Sequence, residues 1–156
     1  MGAGGTELTT AELRNLRRLA GFMIPADAGH GVPGADDEII FADIVRSLDR
    51  DLQAIRAALA MVSTIAGEAF HSADAVKAEA AAMVLLGRDD AVVTALGRAV
   101  LQCYYRDDRV LRSLGIEPVA PFPRGRPLEQ GDWSLLDAVR GRPQMWRDDR
   151  KTGGSR

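Results

Sequence analysis

The sequence predicts an all-α protein, a four-helix core followed by a proline-rich C-terminal arm with short helices. Three observations lead there. Before residue 104, apolar residues recur every three or four positions in four separate stretches. Helix start signals (Thr, Ser or Asp) precede each stretch, and Pro or Gly follows most of them. A sustained two-residue alternation, the mark of a half-buried strand, is absent from the sequence. At 156 residues the chain suits one domain. It divides into a helical bundle over 1–115, a wrapping arm with a short helix over 116–149, and a tail over 150–156 expected to be disordered, like residues 1–7.

The first helix opens at Thr9-Thr10-Ala11-Glu12, a capping box in which hydroxyl and carboxylate satisfy free amides. Leu13, Leu16, Leu19, Ala20, Met23 and Ile24 form its apolar face, and Pro25 stops it. The loop 25–35 holds three glycines and two prolines, suited to tight turns. Asp36 is placed as the next cap, with Ile40, Ile44, Leu48, Leu52, Ile55, Leu59 and Val62 spacing one long helix to about Ala66. Ser72 is expected to cap a third helix through Ala73, Val76, Ala80, Met83 and Leu86, closed by Gly87 in a C′ role. Asp90 caps a fourth through Val93, Leu96, Val100 and Cys103. A short helix from about Asp108 closes at Gly115. Pro118, Pro121, Pro123 and Pro127 then force an extended connector before Asp132 caps a last helix through Leu135, Leu136 and Val139.

Apolar residues make up 46% and charged residues 27%, which excludes wholesale disorder. A net charge of −2 argues against nucleic acid and against an anionic membrane as partners. The longest uncharged apolar stretch, Ala57 to Gly67, is about half of a bilayer span, so no membrane insertion is expected. Arg17-Arg18 has the form of a twin-arginine pair, but the apolar run before Pro25 is too short for a signal peptide, and the pair reads as the wet face of a helix. A cytosolic chain follows, with the periplasm as the alternative if a partner carries the export signal. The single cysteine, Cys103, reads as a small buried hydrophobe.

The search for chemistry finds little. His30 and His71 belong to no nucleophile or metal-ligand spacing. The acidic pairs Asp89-Asp90 and Asp107-Asp108 fall where helices begin, so capping explains them. No phosphate loop or nucleophile elbow occurs. Aromatic and basic residues, by contrast, crowd toward the end. Five of eight aromatics (Tyr104, Tyr105, Phe122, Trp133 and Trp146) and eleven of twenty basic residues lie from position 104 onward. Aromatics beside arginines build contact surfaces, because stiff, partly apolar groups gain much on desolvation. Arg106, Arg109 and Arg112 lie three apart, a guanidinium row suited to a carboxylate-bearing protein surface. The same anchors also suit an arm pinned to its own core.

Ile24-Pro25-Ala26-Asp27 after a first helix, the Gly31-Val32-Pro33 turn, Tyr104-Tyr105-x-Asp107-x-Arg109-Val110 with Leu114-Gly115, and Pro121-Phe122-Pro123-Arg124-Gly125 followed by Asp132-Trp133 resemble the small subunit of gluconate 2-dehydrogenase, subunit 3. The likeness covers the first 35 residues and 104–147. It implies a non-catalytic companion of a large flavoprotein of the glucose-methanol-choline (GMC) oxidoreductase type. That partner holds FAD and oxidises a hydroxyl of a sugar or sugar acid, and this chain itself holds no cofactor and no metal. The partner-binding residues that follow are Tyr104, Tyr105, Arg106, Arg109, Phe122, Trp133 and Trp146, with His30 and Pro33 from the loop. The alternative is a stand-alone helical enzyme or small-ligand binder with a pocket near His71 or Cys103.

Overall fold

A computed structural model describes residues 7–119 and 129–143, and about 63% of them are helical, with no strand among them. The chain divides between Pro118 and Val119 into two units, each described by itself. In the first, α1 (Thr10–Met23) begins at the capping box the sequence predicts, Glu12 reaching back to the Thr9 amide at 2.7 Å. That amide bond, with the Thr9 hydroxyl and Arg56 beside it, holds the Glu12 carboxyl below its ordinary range. Leu16, Leu19 and Ala20 are buried on the face that the spacing selects.

The expected long second helix is two helices. α2 (Glu38–Arg46) ends at Ser47, whose amide is shared between the Asp43 and Ile44 carbonyls, and a 3-10 turn, Asp49–Asp51, precedes α3 (Leu52–Ala66). Leu48 stays buried while the tight turn carries the Asp51 carboxylate to Arg98 at 2.7 Å. Four-residue spacing runs unbroken through both halves, so the periodicity is blind to the break. α3 closes on Gly67 at φ 74°, a left-handed position that a side chain would strain.

α4 (Ala75–Leu86) corrects the sequence reading three times. Its cap is Asp74, which accepts from the Lys77 amide, whereas the Ser72 hydroxyl donates to the Ala69 carbonyl. Arg18 explains the delay: its guanidinium donates to the carbonyls of Phe70 and Ala73 at 2.8 and 2.7 Å, fixing 70–73 as a turn. The buried face is Ala78, Ala81, Ala82 and Leu85, and the expected core residues Val76 and Met83 are 78% and 69% exposed. The helix is apolar on both faces, so periodicity has nothing to choose between. Gly87 ends it at φ −77°, without the left-handed turn of a C′ glycine.

α5 (Ala91–Tyr104) starts at the Asp90 cap and buries Val93, Leu96, Val100 and Cys103 as the spacing requires. α6 (Asp108–Ser113) follows immediately, capped by Asp107. α3 lies at the centre, packed on α1, α4 and α5, while α2 packs on α5. In the second unit Asp132 caps a 3-10 turn, Trp133–Leu136, that continues into α7 (Asp137–Arg140). The stretch Pro121 to Pro127 of the expected connector, Phe122 and Trp146, the 150–156 tail and residues 1–6 lie outside the described residues.

Candidate functional site

The site is built where the 25–35 loop meets the α5–α6 junction. Ile24 accepts from the Ala35 amide at 2.9 Å, closing the loop at its base, and Asp27 and Val32 exchange two backbone hydrogen bonds of 3.0 Å at its neck. The Asp27 carboxylate fills the tip: one oxygen accepts from the Gly29 and His30 amides, the other meets His30 Nδ1 at 2.7 Å. The imidazole bond, followed by the amides, holds the Asp27 carboxyl below its usual range. The His30 ring stays 80% exposed, and Pro33 is half-buried. Gly34 is obligatory by space, since a Cβ there would meet the Ala26 nitrogen at 2.9 Å and the Ile24 oxygen at 3.2 Å.

Tyr104 ends α5 buried, and burial pushes its phenol up. Tyr105 is exposed and meets Tyr104 edge to face with ring centroids 5.4 Å apart. Val110 of α6 is buried, and Leu114 just beyond is 56% exposed. Between them lies a hollow of about 180 Å³, walled by His30 and Val32 from the loop, by Tyr104 and Tyr105, and by Val110, Ser113 and Leu114. Three residues that the sequence singled out, seventy-odd positions apart, thus share one mostly apolar surface feature.

The arginine row is different from the expected one. Arg109 reaches two helix caps at once. Its guanidinium meets Asp37 at 2.6 and 3.2 Å and Asp107 at 2.9 and 3.0 Å, while Asp37 caps α2 and Asp107 caps α6. The Arg109 bonds, above all other influences, lower both carboxyls, and the two carboxylates raise the guanidinium in turn. Arg106 meets Asp43 at 2.5 Å and Ser47 at 3.0 Å, joining the end of α5 to α2. Burial pushes the Asp43 carboxyl up, but the bonds from Arg106 and Arg46 outweigh it and the net direction is down. Arg112 pairs with Asp108 at 3.1 Å. All three arginines therefore carry an internal carboxylate: Arg109 fastens α6 to the start of α2, Arg106 ties the end of α5 to α2, and Arg112 pairs within α6.

Trp133 belongs to the second unit, 63% exposed, with its indole N–H donating to Gln130 at 3.3 Å. The alternative reading rests on His71 and Cys103. His71 Nδ1 and the His71 amide both meet Asn15 Oδ1, at 2.9 and 2.7 Å, and Asn15 donates weakly to Ser63. Among the described residues Asn15 is the buried polar one, and sequence reading passed over it because a lone Asn inside a helical pattern carries no signal of its long-range partners. Cys103 is buried, and burial is the main cause raising its thiol pKa. It lines two hollows, of about 410 and 240 Å³, neither of which includes His71. Arg17 is exposed, as expected of the wet face of a helix, and Arg18, half-buried, corrects that expectation. Arg17 bonds the Asp36 carbonyl and lies over Phe41, and Arg18 lies over Phe22 and Phe70 while holding the 70–73 turn.

Among the described residues no group of three or more His, Cys, Asp or Glu is placed to hold a metal ion, and no helix is long and apolar enough to cross a membrane. Compared with family models, curated proteins and solved structures, the chain finds no match.

Proposed function

We infer that the chain is a non-catalytic accessory subunit that binds and stabilises or matures an FAD-dependent oxidoreductase of the GMC type acting on a sugar or glycoside hydroxyl. One observation carries the reading. Of the motifs behind the resemblance to gluconate dehydrogenase subunit 3, Val32, Tyr104-Tyr105, Val110 and Leu114 line one hollow beside the loop that Ile24 and Asp27 close, and Asp107-x-Arg109 ties α6 to the start of α2.

The hollow favours a protein partner over a cofactor. At about 180 Å³ it falls below the roughly 300 Å³ at which small-molecule sites begin, and it suits one inserted side chain. Its exposed rim, Tyr105, Leu114 and His30, has the aromatic and aliphatic character of an interface anchor. The internally paired arginines leave an apolar contact as the source of affinity, with charge setting orientation. Co-purification of the Tyr105→Ala and Leu114→Ala chains with a flavoprotein tests the reading. Loss of the partner from both, with each chain still folded, supports it, and undiminished retention refutes it.

A further inference from the structure

The hollow beside the 25–35 loop has a polar chemistry of its own. Tyr104 is only 6% exposed, yet its phenol oxygen has no hydrogen-bond partner among the described residues. No fully enclosed side-chain N or O atom lacks a partner there, so this hydroxyl is reached from outside, through the hollow that Tyr104 walls. Nearly buried polar groups are paired as a rule, and an unpaired one at an opening marks the place of a ligand atom. The other two polar side chains of the wall have committed their protons. Ser113 donates its hydroxyl to the Val110 carbonyl at 2.7 Å. The Asp27 carboxylate only accepts, so a neutral His30 ring turns its Nδ1 proton to it across 2.7 Å and keeps Nε2 as an acceptor. No Lys or Arg side chain stands among the residues described around the hollow. Burial first, then the neighbours Tyr105, Asp107 and Asp27, hold the Tyr104 phenol above its ordinary range. Arg109 matches the charge of Asp107, whereas Asp27 has only His30 beside it.

We propose that the hollow receives one arginine side chain of the partner protein, its stem against Val32, Val110 and Leu114 and its guanidinium at the Tyr104 hydroxyl. Arginine has five donors and no acceptor, the complement of a wall that offers lone pairs. Its plane also lies well against tyrosine rings, here the edge-to-face pair of Tyr104 and Tyr105, where the compact ammonium of lysine has no plane to offer. A carboxylate would face the charge of Asp27, and a wholly apolar side chain would seal the Tyr104 hydroxyl without a partner. This deepens the accessory-subunit reading and rests on it for the identity of the partner.

The test places a photoreactive amino acid at Leu114, on the rim, or at Met83, exposed on α4, of the full chain expressed in its native host. Cross-linked peptides are then read by mass spectrometry. The expected result is a peptide of one flavoprotein captured through Leu114, with an arginine at or beside the attachment, and not captured through Met83. Tyr104→Phe keeps the ring and removes only the unpaired hydroxyl, and it should lower the yield about tenfold. Replacing the captured arginine by methionine in the partner should do the same, so the outcome stands on both chains. A captured peptide without arginine, capture of this chain's own residues, or equal capture from both positions overturns the proposal, as does a yield unchanged by Tyr104→Phe. A flavoprotein that co-purifies but meets Leu114 through no arginine leaves the accessory reading standing and removes this site. Capture through an arginine of a protein without flavin does the reverse.

Discussion

Replacing Arg109 by Met tests whether one side chain fastens α6 to the start of α2. Methionine keeps most of the aliphatic stem and removes the fork, so the loss is chiefly that of four charge-assisted hydrogen bonds. Buried, such bonds contribute about 1.5–3 kcal/mol each; at the surface a pair contributes about 0.2–1 kcal/mol. The guanidinium is 38% exposed, whereas the Asp107 side chain it covers is only 9% exposed. Water takes over part of the role at Asp37, but Asp107 is left with a nearly buried charge and the Arg109 amide. About 2 kcal/mol follows, a Tm lower by roughly 5–10 °C in a unit of this size. Urea titration followed by circular dichroism measures it, with Arg112→Met as the control, because that pair is 60 and 59% exposed and its loss costs less than about 0.5 kcal/mol. The acid limb gives a second reading. Both carboxyls lie below their ordinary value in the folded chain, so the stabilisation is complete above the unfolded carboxylate range and is lost as pH falls through the folded values. Stability of the Arg109→Met chain therefore falls less steeply on acidification. A change within about 0.5 kcal/mol of the Arg112 control, with an unaltered acid limb, refutes the clamp.

Other perturbations separate the remaining parts of the account. Gly34→Ala forces a Cβ against the Ala26 nitrogen and Ile24 oxygen, backbone atoms that do not yield, and should lower stability by about 1–3 kcal/mol in urea titration. Asn15→Ala leaves the His71 amide without its acceptor and should cost about 2 kcal/mol by the same measurement. Met83→Glu should leave the thermal transition nearly unchanged while Leu85→Glu abolishes folding, since the first is 69% exposed and the second buried. Cys103 should react with a thiol reagent only at the rate of unfolding, being buried with its pKa raised.

Features set by neighbours in sequence were legible in it. The Thr9 to Glu12 box, the Asp90 and Asp132 caps and the buried faces of α1 and α5 follow from side chains within four positions of each other. Features set across the fold were hidden. Nothing local says that Arg18 will hold the 70–73 turn and push the start of α4 from Ser72 to Asp74, or that Arg98 will meet Asp51 where one long helix was expected. The sequence places the cap of α2 at Asp36, but Asp37 takes it, accepting from the Ile39 and Ile40 amides and pairing with Arg109, seventy-two positions on. The same distance concealed the true state of the arginine row. Its three-residue spacing suggested an open cationic face, and only the fold brings Asp43 and Asp37 to it. The hollow between His30 and Tyr105 was half legible: its residues stood out by type, and their meeting did not.

The accessory-subunit reading is tested most directly by purifying the tagged full chain from its native host at gentle salt, with mass spectrometry and a flavin absorbance spectrum on the eluate. The account predicts a yellow complex of fixed stoichiometry with a large FAD-bearing oxidoreductase, lost when Tyr105 and Leu114 are both replaced by alanine. A colourless, stable monomer from the same preparation contradicts it.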